Sequence, residues 1–184
     1  MTSAGAAEPS EVVQNLQNSL VMVMKDAESL GYQGRYEKLE PVVEGSHDIP
    51  FVVRVAVGKY WNDFDDQQRA QLVATFRDLS IATYANRFDG YSGEQFTLVS
   101  EKELPRGKAL VETTFTKSDG KKLQFNYVLH RADDHWRIIN ISVDGVSDLA
   151  LKRAEYMSLV ENEGFSALLH KMEDQIRRYA NGKE

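Results

Sequence analysis

The chain contains no cysteine. Disulfides, thiolate nucleophiles, iron–sulfur clusters and cysteine-held zinc are therefore excluded together. The absence sits slightly better with an oxidising compartment than with a reducing one. Positive charge is in deficit: 22 Lys and Arg against 28 Asp and Glu give a net charge of −6. Affinity for nucleic acid comes from clustered Lys and Arg, so general nucleic-acid binding is disfavoured. No uninterrupted apolar run approaches the roughly 20 residues that span a bilayer as a helix. There is no internal repeat, no low-complexity tract and no Pro/Gly/Ser-rich linker. What is present is ordinary: 184 residues, 42% hydrophobic and 27% charged, enough chain for one domain with a real core.

Met1 to Ala7 has neither a basic stretch nor an apolar one, so it does not read as a signal peptide. Residues 1–9 are expected to be a flexible segment, and 10–184 a single domain. The first half is helical in pattern. Val13, Leu16, Leu20, Met24 and Ala27 recur at three and four after Pro9 or Ser10, with Gly31 as the stop. A shorter segment, Arg35 to Val43, follows. Asp48 precedes Ile49-Pro50 as an N-cap precedes a first turn, and the helix it opens carries Phe51, Val55 and Val57 before Gly58. Asp63 or Asp65 caps the next, with Leu72, Phe76, Leu79 and Thr83 on one stripe up to about Phe88.

Then the period changes from 3.6 to 2. Phe96 to Val99, Leu110 to Lys117, Leu123 to His130 and Trp136 to Val143 read as four strands. Ser118-Asp119-Gly120 is a hairpin turn, and four strands with short connections predict an antiparallel meander. Ser147 caps a return to helix bearing Leu149, Leu151, Tyr156, Leu159 and Val160. After Gly164, Phe165, Leu168, Leu169, Met172, Ile176 and Tyr179 form a second apolar stripe. The fold class is α+β, with helices laid on one face of a curved sheet.

Catalytic signatures are missing. Gly90-Tyr91-Ser92-Gly93 is one residue short of a nucleophile elbow and follows a helix, so it reads as a helix exit. No phosphate-binding glycine loop and no H-E-x-x-H occurs. Asp63-Phe64-Asp65-Asp66 lacks the glycine and terminal glutamate of a calcium loop. His47, His130, His135 and His170 are not spaced as a ligand pair; His130 and His135 read as solvated strand-end residues. Asn140-Ile141-Ser142 matches a glycosylation acceptor but lies inside a strand. Large apolar groups come from helices and strands alike, without convergent polar machinery. A cavity closed by helices over a curved sheet would then suit an apolar ligand better than a reaction.

Gly58-Lys59-Tyr60-Trp61, Gln67-Gln68-Arg69, Phe76 and Thr83-Tyr84-Ala85 resemble, in order, a run of the MlaC-type family, also called the toluene-tolerance auxiliary component of ABC transporters. Trp136 to Ile141, Asp144-Gly145-Val146-Ser147, Arg153 and Tyr156 are similar to its later blocks. Thr83 to Glu94 and Leu149 to Arg153 look closest to the hopanoid-biosynthesis-associated branch, HpnM. Asn140 stands where the family usually has Asp, and Asp144 where it often has Glu.

The resemblance implies an NTF2-like α+β sandwich and a periplasmic carrier, its export signal removed. Such a carrier moves phospholipid or a hopanoid-type lipid between inner and outer membranes without cofactor, metal or catalysis. It implies as partners an inner-membrane ABC transporter with an MCE-domain subunit, or a related hopanoid transporter, and an outer-membrane lipoprotein complex. Acyl chains are expected among Phe51, Val55, Phe76, Leu79, Phe115, Phe125, Tyr127, Leu129, Ile139, Ile141, Val146, Leu149, Tyr156 and Leu159. Lys152 and Arg153 are the head-group candidates. Two alternatives stand: a small-molecule enzyme on the same sandwich, which needs a titratable pair inside the cavity, and a lipid-free adaptor with a collapsed interior.

Overall fold

The computed structural model describes residues 7–182. Most of the segment expected to be flexible, residues 1–6, lies outside the described residues, and Pro9 is already helical. Helix α1 (Pro9–Lys25) buries Val13, Leu16, Leu20 and Met24 along the expected stripe. Its neighbour α2 (Ala27–Ser46) is two helical stretches that meet at Gly31. Gly31 leaves the helical region, with φ 60° and ψ −175°, a conformation that glycine adopts without a side-chain clash, and so acts as the expected stop; the unexpected break is the earlier one at Asp26, which separates Ala27 from α1. Helix α3 (Ile49–Val57) starts as expected: the Asp48 carboxylate accepts the Phe51 amide at 3.0 Å, and Pro50 occupies the first turn.

A short 3-10 helix (Gly58–Asp63) leads into α4 (Asp66–Arg87), whose capping box pairs Asp65 with Gln68. Gly58 joins α3 to the 3-10 turn at φ 55° and ψ −124°. A Cβ there would lie 2.9 Å from Met157 Sδ and 3.1 Å from Arg153 Nη1. Gly58→Ala is expected to cost about 2 kcal/mol, chiefly as backbone strain, and to lower the thermal midpoint by several degrees in a calorimetric scan.

The sheet is an antiparallel meander in sequence order: β1 (Gln95–Leu104), β2 (Lys108–Thr116), β3 (Lys122–Ala132), β4 (His135–Val143) and a two-residue β5 (Val146–Ser147). The fifth strand was not expected; it is too short to show a period. Two register irregularities, at Leu98/Ser100 and Val128/Leu129, leave Val99 and Ile139 without a cross-strand partner. Bulges bend and twist the strands that carry them, and that curvature keeps the sheet from lying flat against the helices. His47 extends the sheet by one parallel bridge to Ile138, which fixes the start of α3 at the edge of β4.

Helix α5 (Asp148–Glu163) is capped by Ser147, whose hydroxyl accepts the Ala150 amide at 3.1 Å. Helix α6 (Phe165–Ala180) follows the turn at Gly164. The solid core lies where α1, α2, α4 and α6 meet the sheet: Leu16, Leu39, Leu72, Val111, Leu129 and Leu168 are all 0% exposed. Each such side chain contributes on the order of 2 kcal/mol by burial. His130 is not the solvated strand-end residue expected. Its Nε2 lies 2.7 Å from Asp48 Oδ2 and its ring packs on Phe51 at 4.6 Å, tying α3 to β3.

Candidate functional site

Between the sheet and α4, α5 and α6 lies a cavity of about 1130 Å³, partly open to solvent. Strand alternation builds its floor. Phe115, Phe125 and Tyr127 point to one face of β2 and β3, and Ile139 and Ile141 continue it on β4. The roof comes from Phe76, Leu79 and Thr83 on α4, Leu149 and Tyr156 on α5, and Met172 and Tyr179 on α6. Leu20 and Met24 of α1, with Ile49 and Val52 of α3, close the back. Phe96, Phe115 and Phe125 stack edge-to-face or tilted at 4.6 to 5.8 Å, and Phe88 joins them at 6.3 Å. Rings so arranged form a stiff wall.

Of the expected lining residues, Phe76, Leu79, Phe115, Phe125, Tyr127, Ile139, Ile141, Val146, Leu149 and Tyr156 do line this cavity. Phe51, Val55, Leu129 and Leu159 do not. Helix α3 turns Ile49, Val52, Val53, Ala56 and Val57 inward, so Phe51 and Val55 fall on its other side. Leu129 has the right strand parity but sits farther along β3, opposite Ala109, in the solid core. Leu159 borders a separate, more polar hollow on the outer side of α5 and α6.

Of the head-group candidates, Lys152 lines the cavity and Arg153 does not. Arg153 Nη1 donates to the Val55 carbonyl at 2.6 Å and so secures the end of α3. Lys152 does reach the rim, but its Nζ is 2.5 Å from both carboxylate oxygens of Asp148. Arg87 and Lys117 also stand at the rim, and neither forms an ion pair among the described residues. They are the two rim cations with charge to spare.

His47 and Tyr84 bring polarity into the cavity. The Ser46 hydroxyl spends its proton on the Val42 carbonyl at 2.7 Å, so His47 Nδ1–H donates to Ser46 Oγ at 2.9 Å. His47 Nε2 is then the acceptor, and the Tyr84 hydroxyl donates to it at 3.1 Å. Burial pulls the His47 pKa down to about 4, against a hydrogen bond to the Val43 backbone carbonyl and the charge of Asp148. Burial likewise raises the Tyr84 hydroxyl well above its ordinary range, with Tyr127 and Asp148 adding to the rise.

A histidine with a depressed folded pKa is neutral in the fold while the unfolded chain binds a proton. Its contribution is complete above about pH 6.5 and is lost as pH falls towards 4. Over that window the loss is expected to reach about 3 kcal/mol. Thermal midpoints measured from pH 7 to pH 4 should therefore fall more steeply in the parent than in His47→Gln.

Sequence reasoning missed several lining residues for identifiable reasons. Leu20 and Met24 lay on the recognised α1 stripe, and Thr83-Tyr84 in a recognised motif, but nothing said which cores were hollow. Ile49 and Val52 needed the correct helical phase. His47, between two helices, carried no periodic signal.

This is an α+β domain with an open, largely hydrocarbon-lined hollow beneath its helices, which has room for an apolar ligand. The profile of the MlaC protein family matches residues 14–174, and the chain belongs to that family. The chain is 23% identical over 121 residues to the intermembrane phospholipid transport system binding protein MlaC of Haemophilus influenzae. The aligned stretch covers 64% of this chain and 56% of that protein, just over half the relative's length. The phospholipid-binding protein from Ralstonia solanacearum, solved in complex with a phospholipid, superposes with a TM-score of 0.82. At 15% identity the superposition covers 95% of this chain and 99% of that one, and shows a common fold.

Proposed function

We propose that this protein is a non-enzymatic carrier that takes phospholipid, or a hopanoid-type lipid as in the HpnM branch, across the periplasm between the two membranes. The observation that carries this reading is the open 1130 Å³ cavity, floored by Phe115, Phe125 and Ile141. Its volume lies just above the usual range for small-molecule sites, as two hydrocarbon chains require. The need for such a carrier is energetic. A two-chain lipid has roughly 30 methylenes, and at about 0.8 kcal/mol each their exposure to water costs on the order of 20 kcal/mol or more.

In this reading the chains lie between sheet and helices and the head group stays at the rim. An anionic phosphate there meets Arg87 and Lys117, not the ion-paired Lys152. Exposed Val146 and Leu151 on the same rim are suited to touching a membrane surface while lipid passes. The partners are an inner-membrane ABC transporter with an MCE-domain subunit, or a related hopanoid transporter, and an outer-membrane lipoprotein complex. Among the described residues no helix is long and apolar enough to cross a membrane.

His47 and Tyr84 are the titratable pair that an enzyme reading asks for. Their bonding argues against it: the Nε2 lone pair is occupied by the Tyr84 proton, and Nδ1–H is committed to Ser46. Within this pair no lone pair is left free to take a proton from a substrate. Mass spectrometry of organic extracts of the purified protein tests the carrier. Stoichiometric phospholipid or hopanoid is expected; a clean extract from protein incubated with vesicles would favour the lipid-free adaptor.

A further inference from the structure

The cavity lining is hydrocarbon in bulk but not throughout. Tyr156 is 4% exposed and lines the roof, yet its hydroxyl has no hydrogen-bond partner among the described residues. Tyr127, on the floor and 2% exposed, accepts from Gln17 Nε2 at 3.2 Å, but its own proton has no acceptor among the described residues. Burial pushes the Tyr127 hydroxyl up to about 12 and raises that of Tyr156 too, with Glu155 and Asp148 adding to the latter. Both phenols are protonated donors at neutral pH.

Water in an open cavity can satisfy such donors. A plain acyl chain expels that water and offers nothing in return, and an orphaned buried donor is costly. Phenylalanine would line a purely hydrocarbon pocket without that cost. We propose that the cavity accepts a lipid whose inserted part carries a hydrogen-bond-accepting oxygen, held by the Tyr156 hydroxyl from the roof or the Tyr127 hydroxyl from the floor. The inference rests on the carrier reading and adds a polar selectivity to it. The oxygen has two chemical sources: the ester carbonyl of a glycerolipid drawn below the rim, or a hydroxyl on the chain itself.

The test is a competition. The purified full chain is equilibrated with vesicles containing equal amounts of two phosphatidylcholines, recovered, and its lipid extracted for mass spectrometry. In one arm diacyl competes with dialkyl-ether lipid of the same chain length. In the other, stearoyl lipid competes with its 9- and 12-hydroxystearoyl counterparts. At least one arm is expected to show about tenfold enrichment of the oxygen-bearing lipid. That ratio is expected to fall to near one in Tyr156→Phe or Tyr127→Phe, and the arm that responds identifies the source. Bound lipid with ratios near one in both arms overturns this inference and leaves the carrier reading standing. Enrichment that survives both substitutions also overturns it. Recovery of no lipid at all removes the carrier reading, and this inference with it.

Discussion

Phe125→Asp is expected to empty the protein of lipid while leaving it folded. Phe125 is half-buried on the cavity floor, between Phe96 and Phe115 at 5.8 Å each. In the empty protein an introduced carboxylate keeps its water, because the cavity is open. The cost to the fold is the lost ring packing, about 2 kcal/mol. Inserting an acyl chain strips that water and leaves an unpaired charge against hydrocarbon, which costs several kcal/mol. At 1.4 kcal/mol per tenfold, lipid affinity should fall by at least about a hundredfold. Lipid recovered per mole of protein, read beside circular dichroism, checks both halves. Parental lipid content in a folded variant would exclude Phe125 from the binding surface.

Leu72→Ala is expected to do the reverse. Leu72 is 0% exposed in the solid core and does not line the cavity. Its truncation should cost about 3 kcal/mol and lower the thermal midpoint by about 10 °C. Lipid content of the folded fraction should stay at the parental level. The pair of variants separates what holds the domain together from what holds its ligand, a distinction that total buried area does not make.

That distinction also marks how far the sequence could be read. Element types followed from local chemistry. The caps at Asp48, Asp65 and Ser147, the turn at Gly120 and the change of period after Gly93 predicted where helices and strands begin. The sheet floor was legible because alternation assigns a face directly: Phe125 and Tyr127 could only point together. The α3 contribution was not, since nine residues leave helical phase open by a turn's fraction, and Phe51 and Val55 were placed on the wrong side. The stop at Gly31 was legible, but the break at Asp26 was not, since no glycine or proline marks it. Above all, an apolar residue around a void and one inside a packed core carry the same hydropathy. Leu129 and Phe125 are both apolar members of one alternating face, and only their places along β3, opposite Ala109 and Thr113, separate them.

Lys152 and Arg153 show a second limit. Both cations follow the same turn, and a sequence offers no way to see that Asp148 and the Val55 carbonyl have already engaged them. The unengaged charges, Arg87 and Lys117, come from distant segments that only the fold brings to one rim.

The helices around the cavity are unequally anchored. Along its 16 residues α5 buries only Tyr156, whereas α1 sinks seven residues into the interior. Local opening is cheapest where few side chains must leave the interior. Amide protons of α5 should therefore exchange for deuterium well before those of α1, and before the central strands. Long hydrocarbon chains can then come and go by the brief loosening of one thinly rooted helix, with no need to unzip the sheet.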